Sequence, residues 1–293
     1  MITSTLQKKI DTSIATIRRA EPIALQYQDF GAVVAFSGGK DSIVLAQLVK
    51  ESGIKHRLEY NLTTIDPPEV VRFIKREYPD CLINRPKRTF WQLCEHAGIL
   101  PSQYIRFCCN YLKERSGEMT LTMTGVRHAE SARRRKRQEV EIQTRRRHPA
   151  YIRGTFENFE EHRMIEQQCI RGKDKLIVNP ILEWSETDVW DFIHDRQLPY
   201  PEIYDRGYTR VGCLFCPLSN YKNIMREKED YPKYYQAYLR MIQRIYDDRE
   251  RRGTNTYWHG LTPEQIFKLM ASKKAVAKFR AELDQLQLDF LDE

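Results

Sequence analysis

Apolar positions along the first third of the chain alternate between helical and strand patterns. Ile10, Ile14, Ile17 and Ile23 or Ala24 fall near helical spacing, so residues 5–29 are predicted to form an amphipathic lead-in helix. Ala32-Val33-Val34-Ala35-Phe36 is continuously apolar, as expected of a strand covered on both faces. Ile43 to Val49 returns to a helical pattern that runs to about Ser52, and Arg57 to Ile65 reads as a second strand. Asp66-Pro67-Pro68-Glu69 ends that strand and opens a helix through Val70, Val71 and Phe73, with the prolines near its start. A short strand is predicted over Cys81 to Asn84, a helix over Phe90 to Gly98, and further strands over Met119 to Val126 and Leu176 to Ile181. Ser185-Glu186-Thr187-Asp188 carries the hydroxyl and acids of a helix start, so a helix follows from Glu186 to Asp195.

Strands alternating with helices predict an α/β fold, a doubly wound and mostly parallel sheet with its ligands at the carboxyl ends of the strands. After Ser219 the pattern changes to long, polar, Tyr- and Arg-rich helical stretches from Lys222 to Arg252 and from Pro263 onward, with Gly253-Thr254-Asn255-Thr256 as the joint. The expected organisation is an N-terminal helix over 1–27, a nucleotide-binding α/β domain over 28–220 and a helical C-terminal appendage over 221–293.

Composition narrows the classes. No run approaches the ~18 apolar residues of a membrane span, and the first residues lack the apolar core of a signal peptide. The expectation is a cytoplasmic protein with no membrane partner. The net charge of +8 is concentrated locally: from Arg127 to His148 there are nine Lys or Arg side chains against Glu130, Glu139 and Glu141. That field suits a polyanion such as DNA or another nucleic acid, and equally suits a solvated basic loop. Seven cysteines form an odd, clustered set, which in a reducing compartment points to a metal or redox site rather than a disulfide scaffold.

Ser37-Gly38-Gly39-Lys40-Asp41-Ser42 stands between the first strand and the helix that follows. A tight Gly-Gly turn running into a helix N-terminus is an anion site. The glycines let backbone N–H groups approach phosphate, and the helix end adds positive potential. Lys40 supplies a cation, Ser37 and Ser42 supply hydroxyls, and Asp41 suits either a bound Mg²⁺ or the cap of the helix. The loop is shorter than the G-x-x-x-x-G-K-[ST] pattern.

A second signature lies in the cysteines. Cys108-Cys109 is followed by Cys213-Leu214-Phe215-Cys216 about a hundred residues later. The C-x-x-C turn presents two thiolates together, whereas adjacent cysteines diverge and suit a multi-iron cluster better than one small ion. A [4Fe–4S] cluster is therefore expected on Cys108, Cys109, Cys213 and Cys216, with zinc as the alternative. Cys81, Cys94 and Cys169 are isolated and read as core or surface thiols.

The hexapeptide resembles the PP-loop, S-G-G-x-D-S, of the ATP pyrophosphatases. Together with the cysteine pattern, the chain over roughly 28 to 220 resembles the phosphoadenosine phosphosulfate (PAPS) reductase family of that superfamily. The resemblance includes Thr64-Ile65-Asp66-Pro67-Pro68-Glu69, Thr124-Gly125-Val126-Arg127-His128-Ala129-Glu130-Ser131 and Asn179 to Trp184 with Asp188-Val189-Trp190. It continues through Tyr204 to Cys213. It implies an adenine nucleotide alpha hydrolase-like, Rossmann-like sheet that binds ATP through Ser37, Gly38, Gly39, Lys40, Asp41, Ser42, Thr64, Asp66, Gly125 and Arg127, with Lys40, Asp41 and Arg127 in catalytic roles. Arg127 suits the α phosphate or the acceptor, or else a surface salt bridge with Glu130. Arg206 and Arg210 face substrate or cluster, or solvent.

Sulfonucleotide reductases of the family attack sulfur with a cysteine in a C-terminal tail, and this sequence has no cysteine after Cys216. The usual covalent reduction is therefore not expected. The chain resembles in kind the DNA phosphorothioation proteins DndC and SspD. That likeness implies an ATP pyrophosphatase that adenylates an acceptor for sulfur transfer, with DNA and a cysteine desulfurase or other sulfur-transfer protein as partners. The alternatives are a sulfonucleotide reductase-like enzyme of sulfur assimilation and a non-catalytic nucleotide-binding subunit that recruits a desulfurase or DNA partner.

Overall fold

The computed structural model describes residues 2–114, 120–132, 134–143, 151–156, 175–255 and 257–274. Cys169 and Arg145-Arg146-Arg147 lie outside them, as does the chain beyond Lys274. The described residues group into two compact units, and the grouping cuts across chain order. One holds Met1–Leu62, Pro67–Arg85 and Arg115–Gly212; the other holds Thr63–Asp66, Pro86–Glu114 and Cys213–Glu293.

The first unit is a seven-stranded sheet: β1 (Ala32–Ala35), β2 (His56–Asn61), β3 (Leu82–Asn84), β4 (Leu121–Met123), β5 (Val140–Gln143), β6 (Tyr151–Gly154) and β7 (Lys175–Val178). The strand order is β3-β2-β1-β4-β7-β5-β6. β3, β2, β1, β4 and β7 are mutually parallel, with Val34 opposite Leu58 on one side and Met123 on the other. The order reverses between β1 and β4, and this switch point is where doubly wound sheets open a ligand crevice. Among the described residues, this unit has three α-helices before the last strand: α1 (Ser4–Tyr27), α2 (Lys40–Ser52) and α3 (Pro68–Glu77). α1 buries Leu6, Ile10, Ile17, Ala20 and Ala24 at near-helical intervals, joining Val34, Leu45, Leu48 and Met123 in one core. Each large aliphatic side chain so buried contributes about 1.5–3 kcal/mol.

The predicted strands are longer than the observed ones. Arg57 to Ile65 was expected to continue past Asn61, but Thr64 adopts φ +65°, which ends the pleat. The arginine-rich stretch also differs from a plain basic loop. Val140–Gln143 forms β5, antiparallel to β7 and to β6, with all four residues buried. Glu141 is 0 % exposed and neutralised by Arg137 and Arg153, so charge conceals the strand pattern.

The second unit is helical in its described parts. It contains α4 (Phe90–Ala97), α5 (Phe107–Cys109) continuing as a π-helical turn over Asn110–Glu114, α7 (Tyr221–Asp230), α8 (Pro232–Arg251) and α9 (Pro263–Ser272); α6 (Glu186–Asp195) belongs to the sheet unit. The stretch expected as one helix from Lys222 to Arg252 is two, because Pro232 cannot continue α7 and instead starts α8. Phe90, Phe215, Tyr235, Tyr238 and Phe267 form an edge-to-face and tilted aromatic core, with centroids 4.9–6.4 Å apart. Among the described residues no helix is long and apolar enough to cross a membrane.

Candidate functional site

The loop after β1 is braced by its own hydroxyls. Ser42 Oγ donates to Gly39 O at 2.8 Å, and the Ser37 and Gly39 amides donate to Ser42 Oγ and Ser37 Oγ at 3.2 and 3.4 Å. Gly38 has φ +71°, and a Cβ there would press on Val70 and Ile74 at 3.0 Å. Gly39 caps α2 without a side-chain bond, and the Lys40 amide donates to Tyr204 Oη at 2.9 Å. The Gly38 and Asp41 amides donate to no described group. They leave two N–H groups at the positive end of a 13-residue helix.

Above this loop lies a network of four charges. Arg127 is 2 % exposed; its Nε donates to Asp41 Oδ1 at 2.6 Å, its Nη2 to Glu186 Oε2 at 2.7 Å and its Nη1 to Trp184 O at 3.2 Å. Lys40 is also buried. Its Nζ donates to Thr209 O at 2.9 Å and stands 3.3 Å from Glu186 and 3.6 Å from Asp41. Burial works against the charge on Arg127, but Asp41 and Glu186 outweigh it and raise its pKa. Burial likewise favours the protonated form of Glu186, yet Lys40 and Arg127 hold its carboxylate below the usual range. Gly125 is required by close approach: a Cβ there would lie 2.7 Å from the Asp41 carbonyl oxygen.

These contacts show Arg127 and Asp41 in an internal ion-pair network rather than in the surface bridge or the helix cap. Arg127 is no surface partner of Glu130; the Glu130 carboxylate accepts the Arg127 backbone amide and pairs with Arg134. Asp41 does not cap α2, and each of its oxygens faces a side-chain cation. Arg134 is pulled below its usual pKa by burial and then by Arg210, which is exposed and has no acidic partner among the described residues. Arg206 pairs with Glu69. Glu186, Tyr204 and Arg134 escaped the sequence reading. The signals were a helix-start Ser-x-x-Asp for Glu186 and an arginine cluster too uniform to single out Arg134.

Thr64 and Asp66 belong to the second unit, with the cysteines. Thr64 Oγ1 accepts the Phe90 amide at 2.8 Å, and Asp66 Oδ2 accepts the Thr63 amide at 2.7 Å. Cys108, Cys109, Cys213 and Cys216 line one cavity of about 30 Å³, with Thr63, Lys113 and apolar side chains around them. The Cys108 thiol hydrogen-bonds to Cys109 and pulls the latter down to about 5, assisted by Arg106 and Lys113 against burial. The same bond and burial push Cys108 up, and burial raises Cys216. Lys113 lines the cavity while remaining exposed to solvent, and its cationic form is favoured by Cys213 first and then by Asp66. Cys81 and Cys94 are buried elsewhere with raised pKa values, as core thiols.

The four thiols are the donors that the chain offers to a metal or a metal–sulfur group. Four thiols share one cavity, yet among the described residues no three His, Cys, Asp or Glu side chains converge as the shell of one metal ion. Tyr238 Oη is buried with no hydrogen-bond partner among the described residues, and burial, with Cys94, Cys108 and Cys216 nearby, pushes its pKa up. The Lys113 ammonium on the cavity wall suits an anionic, sulfur-rich guest.

Comparison with known proteins identifies the family. Residues 31–219 match the model of the phosphoadenosine phosphosulfate reductase domain. An uncharacterized protein of Methanocaldococcus jannaschii is 25% identical over 84% of this chain, and an adenosine 5′-phosphosulfate reductase of Oceanobacillus iheyensis is 26% identical over 65% of this chain and 73% of its own. The chain spans about half of the M. jannaschii relatives, 57% and 45% of two of them. Among solved structures, the PAPS reductase of Candida auris aligns over 73% of this chain and 97% of that one, at 18% identity and TM-score 0.41. The U34-tRNA thiolase NcsA of Methanococcus maripaludis, with its [4Fe–4S] cluster, aligns over 84% and 80%, at 15% identity and TM-score 0.42. With its family model matched from the first strand to just past the last cysteine, the chain belongs to the phosphoadenosine phosphosulfate reductase domain family.

Proposed function

We propose that this chain is an ATP pyrophosphatase that holds ATP on the Ser37–Ser42 loop, releases pyrophosphate and leaves an adenylated acceptor for sulfur transfer. The observation that carries the reading is the pair of unpartnered amides, Gly38 and Asp41, beneath the buried Lys40–Arg127 cations at the switch point of the sheet. The amides suit phosphate oxygens, and the two cations suit charge developing on the leaving pyrophosphate. Arg210 and Arg134 extend the positive face for a second anionic group. Glu186 and Asp41 keep the cations fixed before the nucleotide arrives, so little reorganisation is left for the reaction itself. Mg²⁺ enters this reading as a companion of the nucleotide, and no step is assigned to it.

The acceptor in this proposal is a DNA backbone phosphate undergoing phosphorothioate modification. In this reading DNA meets exposed basic side chains of the 127–148 stretch such as Arg135 and Lys136, and sulfur comes from a cysteine desulfurase or another sulfur-transfer protein. Cys108, Cys109, Cys213 and Cys216 would hold a [4Fe–4S] cluster, which supplies a sulfur-rich, redox-capable centre when bound. The relatives named adenosine 5′-phosphosulfate reductase favour a second reading, a sulfonucleotide in place of ATP at the same adenylate site.

One assay separates these outcomes. Pyrophosphate release from ATP, lost in a Lys40→Ala variant that keeps its circular dichroism, supports the first reading. Sulfite from adenylyl sulfate plus a thiol reductant, without pyrophosphate release, replaces it with the second. Nucleotide binding without turnover, even with DNA and a desulfurase present, leaves only a recruiting subunit. Anaerobic purification should give a brown protein whose colour is lost in Cys213→Ser; a colourless protein with stoichiometric zinc sinks the iron–sulfur assignment.

A further inference from the structure

We propose that Glu227, on α7, is the positioning residue that holds the Cys213-Leu214-Phe215-Cys216 turn in its ligand-presenting shape. The inference rests on reading those cysteines as ligands of a metal–sulfur group. Phe215, between the two thiols, adopts φ +55°, a left-handed conformation that a side chain with a Cβ disfavours. Glycine would relieve that backbone, but Phe215 is 1 % exposed and its ring packs against Tyr235, Tyr238 and Phe267. The ring anchors the turn while the backbone opposes the conformation, so a further restraint is needed.

Glu227 Oε2 supplies it by accepting the Phe215 amide at 2.6 Å. Glu227 is 8 % exposed and has no ion pair among the described residues. A buried acid without a cation is costly, and an apolar residue would pack there more cheaply. Its hydrogen bond accounts for its presence, because without it the Phe215 amide is a buried donor with no partner. The neighbouring amide is held in a different way: Leu214 N donates to Ile65 O at 2.9 Å. Two adjacent donors of the turn thus meet two separate acceptors, and only the one at the left-handed residue depends on a side chain.

The test compares Glu227→Gln, which keeps an acceptor oxygen, with Glu227→Leu, which keeps the volume and loses it. In metal-free full-length protein, iodoacetamide alkylation of Cys213 and Cys216 is followed by peptide mass spectrometry, with buried Cys94 as internal control. Glu227→Leu should alkylate both about tenfold faster than wild type, the factor expected for a lost buried hydrogen bond, while Glu227→Gln stays close to wild type. Iron content after anaerobic reconstitution should fall in Glu227→Leu and hold in Glu227→Gln. Equal alkylation in wild type and Glu227→Leu overturns the proposal, as does Glu227→Gln behaving like Glu227→Leu. Should Glu227→Leu fail to fold, amide exchange in the wild-type protein decides: Phe215 must be protected, and free exchange there overturns the assignment. A wild-type protein that takes up neither iron nor zinc removes the metal reading alone, since the alkylation rates still report on Glu227.

Discussion

The phosphate loop and the cysteine cavity solve the problem of burying polar groups in opposite ways. Around the loop, each charge meets its opposite: Arg127 lies between Asp41 and Glu186, and Lys40 adds a second cation to the same two acids. Around the cysteines, apolar and aromatic walls stand beside Lys113, and two buried polar groups nearby lack a full partner among the described residues. Tyr238 has an idle hydroxyl, and Glu227 has a hydrogen bond but no cation. The difference teaches where each site is fragile. A balanced network fails when one member is removed, because its partner is left charged and buried. An unbalanced cavity is poised for a guest that completes it, and its own stability follows the protonation of its acids.

The sharpest way to break the comparison is Arg127→Met. With Arg127 gone, Asp41 keeps only Lys40, so the sheet unit should lose about 3–5 kcal/mol, as for breaking a buried ion pair. Urea unfolding followed by hydrogen exchange at the β1 and β4 amides measures this. A loss below about 1 kcal/mol, the range of surface pairs, would show that the network is not held by compensation. Gly125→Ala comes next. Its Cβ would meet the Asp41 carbonyl at 2.7 Å, backbone against backbone, so the strain falls toward the upper end of the about 1–3 kcal/mol seen for overpacking. It should also weaken ATP binding in a calorimetric titration, because it shifts the first turn of α2. Unchanged affinity would separate the β4 end from the phosphate loop.

How far each site was legible follows from the same contrast. The phosphate loop is contiguous, and an apolar run, two glycines and a helical pattern announce it in sixteen residues from Ala32 to Gln47. What balances it is scattered: Glu186 comes from a helix start nearly 150 positions on, and nothing in its local pattern separates a capping acid from an ion-pair partner. The cysteine spacing showed the four thiols but not their surroundings. Glu227 sits in a polar helical stretch, Tyr221–Asp230, where one acid among several looks solvated. Only tertiary packing reveals that it is buried. Strand β5 was hidden for a related reason, since Glu141 in its centre is matched by arginines that made the stretch read as a loop.

The smallest expected effect tests whether the cavity side is unbalanced. Burial, with Asp230 adding to it, pushes Glu227 up to about 7 from 4.5, and the Phe215 amide only partly opposes this. Between those values the folded protein holds a proton that the unfolded chain releases. Glu227 therefore stabilises the second unit fully below pH ~4.5, and that contribution is lost as pH rises through about 7. The expected loss from pH 5 to pH 8 is on the order of 1–2 kcal/mol. It should be read from exchange at the α7 and α8 amides rather than from whole-chain melting, which would mix the two units. Glu227→Gln, which accepts the Phe215 amide without titrating, should flatten the slope. An identical slope in the variant assigns the pH dependence to other groups. A rise in stability across the window would mean that Glu227 does have a cationic partner, and that the cavity is balanced after all.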